Sequence, residues 1–182
     1  MDRVLKEDYT PTNQDILNLR VVTQSITDNE FYIEGRTWHF YDVSGLKHHR
    51  KAWLPFFDNV SGVLFVVSLS CYNQTLVEEP SKNRMRDSIE LFKSIATNPI
   101  LENSNFLLFF NKADLYERKI AKRDFRDYFP DFKGKDGSRT DAYEYLKMKF
   151  QQGIKDSLKL VAIHKTCCTD TNMIEKIIKS VV

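Results

Sequence analysis

Among the six glycines of this 182-residue chain, none falls in a Gly-X4-Gly-Lys-Ser/Thr string. The sequence therefore lacks the loop whose backbone N–H groups cradle nucleotide phosphates. The nearest approach, Gly134-Lys135, has Phe129 where the first glycine is required and Asp136 after it, and with Gly137 and Ser138 it reads as a polar loop. Cysteine is scarce as well. Cys71, Cys167 and Cys168 are odd in number with two adjacent, which excludes a disulfide framework and suits a reducing, cytoplasmic compartment. Charge of one sign is missing: 27 Lys plus Arg against 25 Asp plus Glu give +2, too balanced for a nucleic-acid or anionic-membrane binder. Long apolar runs are absent. The most apolar stretch, residues 63–69, is too short to cross a bilayer. The start Met1-Asp2-Arg3 offers neither a secretory core nor the second-position glycine that myristoylation needs, so no direct membrane anchor is expected.

What is present suits one globular domain, with 42% hydrophobic and 13% aromatic content. Segments of strand character alternate with segments of helical period. Residues 31–33 and 38–42 straddle Gly35 as an antiparallel hairpin, and residues 62–70 follow as a buried strand. Residues 83–98 place Met85, Ile89, Phe92 and Ile95/Ala96 at helical spacing, closed by Pro99. Residues 106–110 read as a buried parallel strand. Residues 140–155 form a helix with Ala142, Leu146, Phe150 and Ile154 on one face, and residues 158–163 a last strand. Residues 170–182 form a final helix with Met173, Ile174, Ile177, Ile178 and Val181 inward. This alternation predicts an α/β fold, a mostly parallel sheet flanked by helices, with ligands at the carboxyl ends of the strands.

The most specific motif, Asn111-Lys112-Ala113-Asp114, sits at such a strand end. An Asn amide can bond the Hoogsteen edge of a purine, and a Lys stem can lie across the ring. An Asp carboxylate can accept two N–H donors that guanine has and adenine lacks, so guanine selectivity lies in that carboxylate. The string also suits a polar strand-end turn. Asp42-Val43-Ser44-Gly45-Leu46 leaves another strand for the basic run Lys47-His48-His49-Arg50-Lys51 and Trp53. An Asp there can hold a magnesium shell water and Gly45 permits close approach of a phosphate, although a strand-ending Asp with a turn Gly reads equally well. His48 and His49 are neighbours, not i and i+4, and read as a solvated helix face. Thr166-Cys167-Cys168-Thr169 follows the last strand, where a backbone N–H can point at a base carbonyl or small residues can be buried.

In order, these pieces resemble the α subunits of heterotrimeric G proteins over the whole of residues 1–182. Residues 8–15 resemble the linker out of the family's helical domain, giving a division into a linker, 1–15, and a partial Ras-like GTPase domain, 16–182. Arg20-Val21-Val22-Thr23 resembles switch I, residues 42–53 switch II, Asn83-Arg84-Met85 and the helix after it the switch III region, and residues 111–114 with 166–169 the guanine-binding pair. The resemblance implies a GTP/GDP switch in receptor signalling with Mg2+ as cofactor. It makes Arg20 the arginine supplied in cis to the transition state, a role for which Gα is the standard worked case. It makes Thr23 a magnesium ligand, Asp42 one through water, Gly45 an N–H donor to the γ-phosphate and residues 17–23, from Leu17, a drape over the phosphates. Asn111, Lys112 and Asp114 would read guanine, and Cys168, where the family usually has Ala, would give its N–H to the base oxygen. Gβγ would meet Lys47, Arg50 and Trp53, with receptor and effector as further partners. The cytoplasmic face of the plasma membrane would be the working site of the full-length family.

The departures set further expectations. Leu46 stands where the family has the water-orienting Gln, so this catalytic position is degenerate and hydrolysis impaired. Ser44 replaces the first switch II Gly, and Pro55 falls inside the expected switch II helix, removing an N–H. Against the family the chain is expected to lack the first strand, P-loop and first helix, most of the helical domain, the N-terminal helix and the C-terminal tail. Five missing charge-assisted hydrogen bonds at about 1.5–3 kcal/mol each would remove about 7–15 kcal/mol of phosphate binding. Without the first strand, the 38–42 and 62–70 strands must pair directly or leave edges that aggregate. A non-catalytic decoy binding Gβγ or an effector, and an inactive gene fragment, are the alternatives.

Overall fold

The structure is a computed structural model describing residues 3–19, 21, 23, 25–122, 125–152, 154 and 160–181. Chain contacts divide it into two compact units, residues 1–56 and 57–182.

In the first unit Thr12 caps a short helix, α1 (Asn13–Asn18), and Asp15 completes a capping box while taking a bidentate bond from Arg3. A hairpin follows, β1 (Thr27–Ile33) and β2 (Arg36–Asp42), antiparallel with Phe31 opposite Trp38. Its two-residue turn is Glu34-Gly35 with φ of 50° and 80°, the pair of positive values that matches strand twist and that glycine supplies cheaply. Residues 47–56, expected as an α-helix, form a 3₁₀ helix (Lys47–Phe56) with Pro55 inside it. Proline's missing N–H is one reason that the α-helical ladder does not continue there.

In the second unit β3 (Gly62–Ser68), β4 (Asn105–Asn111) and β5 (Leu160–Lys165) form a parallel sheet in the order β3-β4-β5. Helices α2 (Arg84–Ala96), α3 (Ala113–Ile120), α4 (Arg139–Gln151) and α5 (Thr171–Val181) flank it. Asn83 caps α2 by accepting from the N–H groups of Met85 and Arg86. Phe92 of α2 and Phe150 of α4 meet Phe65, Phe106 and Phe110 in an aromatic layer with centroids 5.0–6.3 Å apart. Phe106, Leu108, Phe109 and Phe110 are all buried, so β4 is the covered central strand.

Several expectations are corrected. β3 is buried on one face only, because Leu64 and Val66 on the other are 43% and 50% exposed. Helix α3 was not anticipated, although Ala113, Tyr116 and Ile120 bury one face of it. Ile154 lies beyond the end of α4, and β5 runs to Lys165. Lys155, residues 158–159, the Val181 side chain and Val182 lie outside the described parts.

Residues 134–138 are irregular, as the loop reading expects, and the segment before them carries a second aromatic cluster. Phe125, Phe129 and Phe132 are buried with Tyr72 and Tyr145, centroids 4.8–5.7 Å apart. Gly134 belongs to this packing: a Cβ there would lie 2.4 Å from the Phe132 ring.

Candidate functional site: the β4 and β5 carboxyl ends

The guanine-reading candidates occupy one continuous piece of the second unit. The β4–β5 ladder carries on past its last strand residues, since Thr166 N–H donates to the Phe110 carbonyl at 2.8 Å and Ala113 N–H to the Thr166 carbonyl at 3.1 Å. These bonds bring residues 166–168 beside residues 111–114. Lys112 turns the chain from strand to helix in a left-handed conformation, φ 58° and ψ 41°, which costs a non-glycine residue about 1–2 kcal/mol. Asn111 offsets that strain. Its Oδ1 accepts the N–H of Lys112 at 2.7 Å and the N–H of Cys168 at 2.9 Å, joining the two loops through one side chain.

With the acceptor occupied, the Asn111 amide NH2 is the group left to donate to a purine N7. Cys168 is exposed, and its N–H, expected on the base oxygen, is here the donor to Asn111. Asp114 opens α3 with its carboxylate half exposed; Oδ2 takes a bond from Arg118 at 3.1 Å and Oδ1 lies 3.6 Å from Cys167 Sγ. The Lys112 side chain is exposed. Lys119, near the end of α3, donates to the Ser70 carbonyl at 2.9 Å and Asn73 Oδ1 at 3.1 Å, tying the helix to the turn after β3. Asp170 Oδ1 accepts the Met173 N–H at 3.0 Å, so the second loop is fixed by the start of α5.

The remaining candidates lie in the first unit. Leu17 is in α1 and 45% exposed, Thr23 is half-buried, and Arg20 lies outside the described residues. Asp42 ends β2 and is exposed, and Gly45 is exposed with nothing within 4 Å of an added Cβ. Leu46 is half-buried. Lys47 is exposed and Arg50 half-buried, its Nε donating to the Gly45 carbonyl at 3.4 Å. Trp53, expected to face a partner, is 6% exposed and donates its indole N–H to the Ser44 carbonyl at 3.1 Å.

Sequence reasoning missed His49. Its Nδ1 lies 2.9 Å from Ser44 Oγ, so the ring is half-buried against the turn and is not part of a solvated face. The five-residue spacing of a hydroxyl and an imidazole was the available signal. No group of three His, Cys, Asp or Glu able to hold a metal ion occurs among the described residues, and no helix among them is long and apolar enough to cross a membrane.

Comparison with known proteins identifies relatives of the chain. The family described as the G-protein alpha subunit matches residues 1–182. The chain is 37% identical over 182 residues to the guanine nucleotide-binding protein alpha-2 subunit of Caenorhabditis briggsae, covering 100% of this chain and 51% of that protein. It is 38% identical over 175 residues to the alpha-7 subunit of Caenorhabditis elegans, covering 96% of this chain and 49% of that protein. The chain thus spans about half the length of the curated relatives it matches.

Proposed function

The chain belongs to the G-protein α-subunit family, and from that premise we propose that it carries the base-reading part of a guanine-nucleotide switch in receptor signalling. One observation carries this reading: Asn111 Oδ1 joins the Lys112 and Cys168 amides, setting the 111–114 turn and the 166–169 loop side by side. Asn111 Nδ2 then donates to N7 of the base, the Lys112 stem lies on its face, and Asp114 accepts its N1–H and exocyclic N–H. Residues 1–15 serve as the linker and residues 16–182 as a partial Ras-like domain.

Magnesium fits only together with the nucleotide. Thr23 would hold it through its hydroxyl and Asp42 through a bound water, and the remaining ligands would come from phosphate and water. Bound there, the ion would neutralise charge on the β- and γ-phosphates. Arg20 and Gly45 act on the same phosphates. Leu46 can neither donate nor accept a hydrogen bond, so no side chain at that position orients an attacking water and hydrolysis is impaired. Gβγ, receptor and effector are the partners, with Lys47 and Arg50 on the Gβγ side, and the cytoplasmic face of the plasma membrane is the site of action. A second reading is a non-catalytic binder of Gβγ or an effector through the face of residues 47–53, in which Trp53, buried and bonded to the Ser44 carbonyl, shapes the segment from within and is not itself a contact.

The test is a titration of the purified chain with a fluorescent GTP analogue in magnesium. Saturable binding, competed by GDP but not ADP and lost in Asp114→Asn, is expected. Binding that survives Asp114→Asn would refute the base-reading role.

A further inference from the structure

We infer that Ser44 and His49 form a latch that holds residues 44–56 in one conformation whether or not a nucleotide is bound. The turn after β2 is secured by groups of the 3₁₀ helix that follows it. Ser44 Oγ meets His49 Nδ1 at 2.9 Å and lies 3.5 Å from the Leu46 N–H; the Ser44 carbonyl takes the Trp53 indole N–H at 3.1 Å, and the Gly45 carbonyl the Arg50 Nε–H at 3.4 Å. The helix type makes this possible. Residues three apart eclipse in a 3₁₀ helix, so Arg50 and Trp53 project from one side and reach neighbouring carbonyls. At the far end Phe56 packs on Tyr41 of β2, ring centroids 5.6 Å apart, closing the segment onto the strand it left.

Ser44 is the hinge point of the latch, 4% exposed and bonded through both its hydroxyl and its carbonyl. A turn that senses a terminal phosphate must be free to swing its backbone N–H toward it. Here the swing would break the bonds to His49, Trp53 and Arg50 together, and the hydroxyl that adds the His49 bond is absent from the glycine expected at this place. The nucleotide clause of the inference rests on reading residues 42–46 as the phosphate-sensing turn; the latch itself rests on the contacts alone.

Trp38→Phe leaves Trp53 as the single tryptophan of the chain's two. In that background, acrylamide quenching and emission maximum of Trp53 are measured without nucleotide and with magnesium and a non-hydrolysable GTP analogue. The expected result is weak quenching and an emission maximum unmoved by nucleotide, with at least twofold stronger quenching in Ser44→Ala and in His49→Leu. His49→Asn, which keeps a hydrogen-bonding atom near the Nδ1 position, should stay with the parent. Far-UV circular dichroism checks that each variant folds, and if Ser44→Ala does not, the Leu and Asn pair at position 49 decides. Quenching unchanged in Ser44→Ala and His49→Leu, or a nucleotide-induced shift with Ser44 in place, would overturn the latch. Should the fluorescent analogue fail to bind any variant, the base-reading proposal falls and the nucleotide-free comparison still judges the latch.

Discussion

At the scale of single residues, hydrogen-bonding capacity separates Asp114 from Leu46. Asp114 presents two acceptor oxygens at the start of α3, and its exchange for Asn replaces one with a donor that opposes the N–H groups of guanine; a loss of at least tenfold in affinity follows from one charge-assisted bond of about 1.5–3 kcal/mol. Leu46 presents nothing. The chain is therefore expected to release no phosphate from GTP above background, and release abolished by Arg20→Ala would count against this. Cys71 gives a pH prediction. It is buried, and burial pushes its thiol from 9.0 up to about 11. The unfolded chain loses this proton first, so the thiol's contribution is intact below about pH 9 and is lost as pH rises toward about 11. Denaturant melts across that window should fall less steeply for Cys71→Ala than for the parent. A thiol reagent at neutral pH should label the exposed Cys168 in the native state and leave Cys71 unmodified until unfolding.

Elements show which local signals were sufficient. The helix α2 was legible because Asn83, a periodic apolar face and Pro99 bracket it, and the Asn83 side chain accepts two N–H groups of its first turn. Asn83→Ala should lower stability by about 1 kcal/mol in urea unfolding. The aromatic cluster before α4 was not legible, since Phe125, Phe129 and Phe132 stand four and three apart, a helical spacing that Pro130 interrupts, and only the fold turns them toward Tyr72 and Tyr145. Gly134→Ala tests that packing. Its Cβ would meet the Phe132 ring at 2.4 Å and Asp141 Cβ at 2.6 Å, so a loss of about 1–3 kcal/mol is expected in the same assay. The 3₁₀ helix of residues 47–56 was legible only as a helix disturbed by Pro55, because the tie of Trp53 and Arg50 to the preceding turn is a tertiary contact.

At the scale of the whole molecule, the sheet is left with an uncharged edge strand. β3 reads Gly62-Val63-Leu64-Phe65-Val66-Val67-Ser68, without charge or proline, and exposes Leu64 and Val66 on one face. Self-association should follow at working concentrations, and Val66→Lys should move light-scattering onset to several-fold higher concentration without lowering the melting temperature. A parent chain that stays monodisperse at those concentrations would refute the aggregating edge. The sequence by itself determined the alternation of strands and helices, the parallel β4 core and the Asn-Lys-X-Asp turn, because each rests on periodicity or on side-chain chemistry within a few residues. Only the tertiary structure decided that Asn111 bridges to Cys168, 57 positions away, that His49 folds back on Ser44, and that β3 stays open on one face. Those three depend on which segments meet in space, and a one-dimensional pattern carries no term for that.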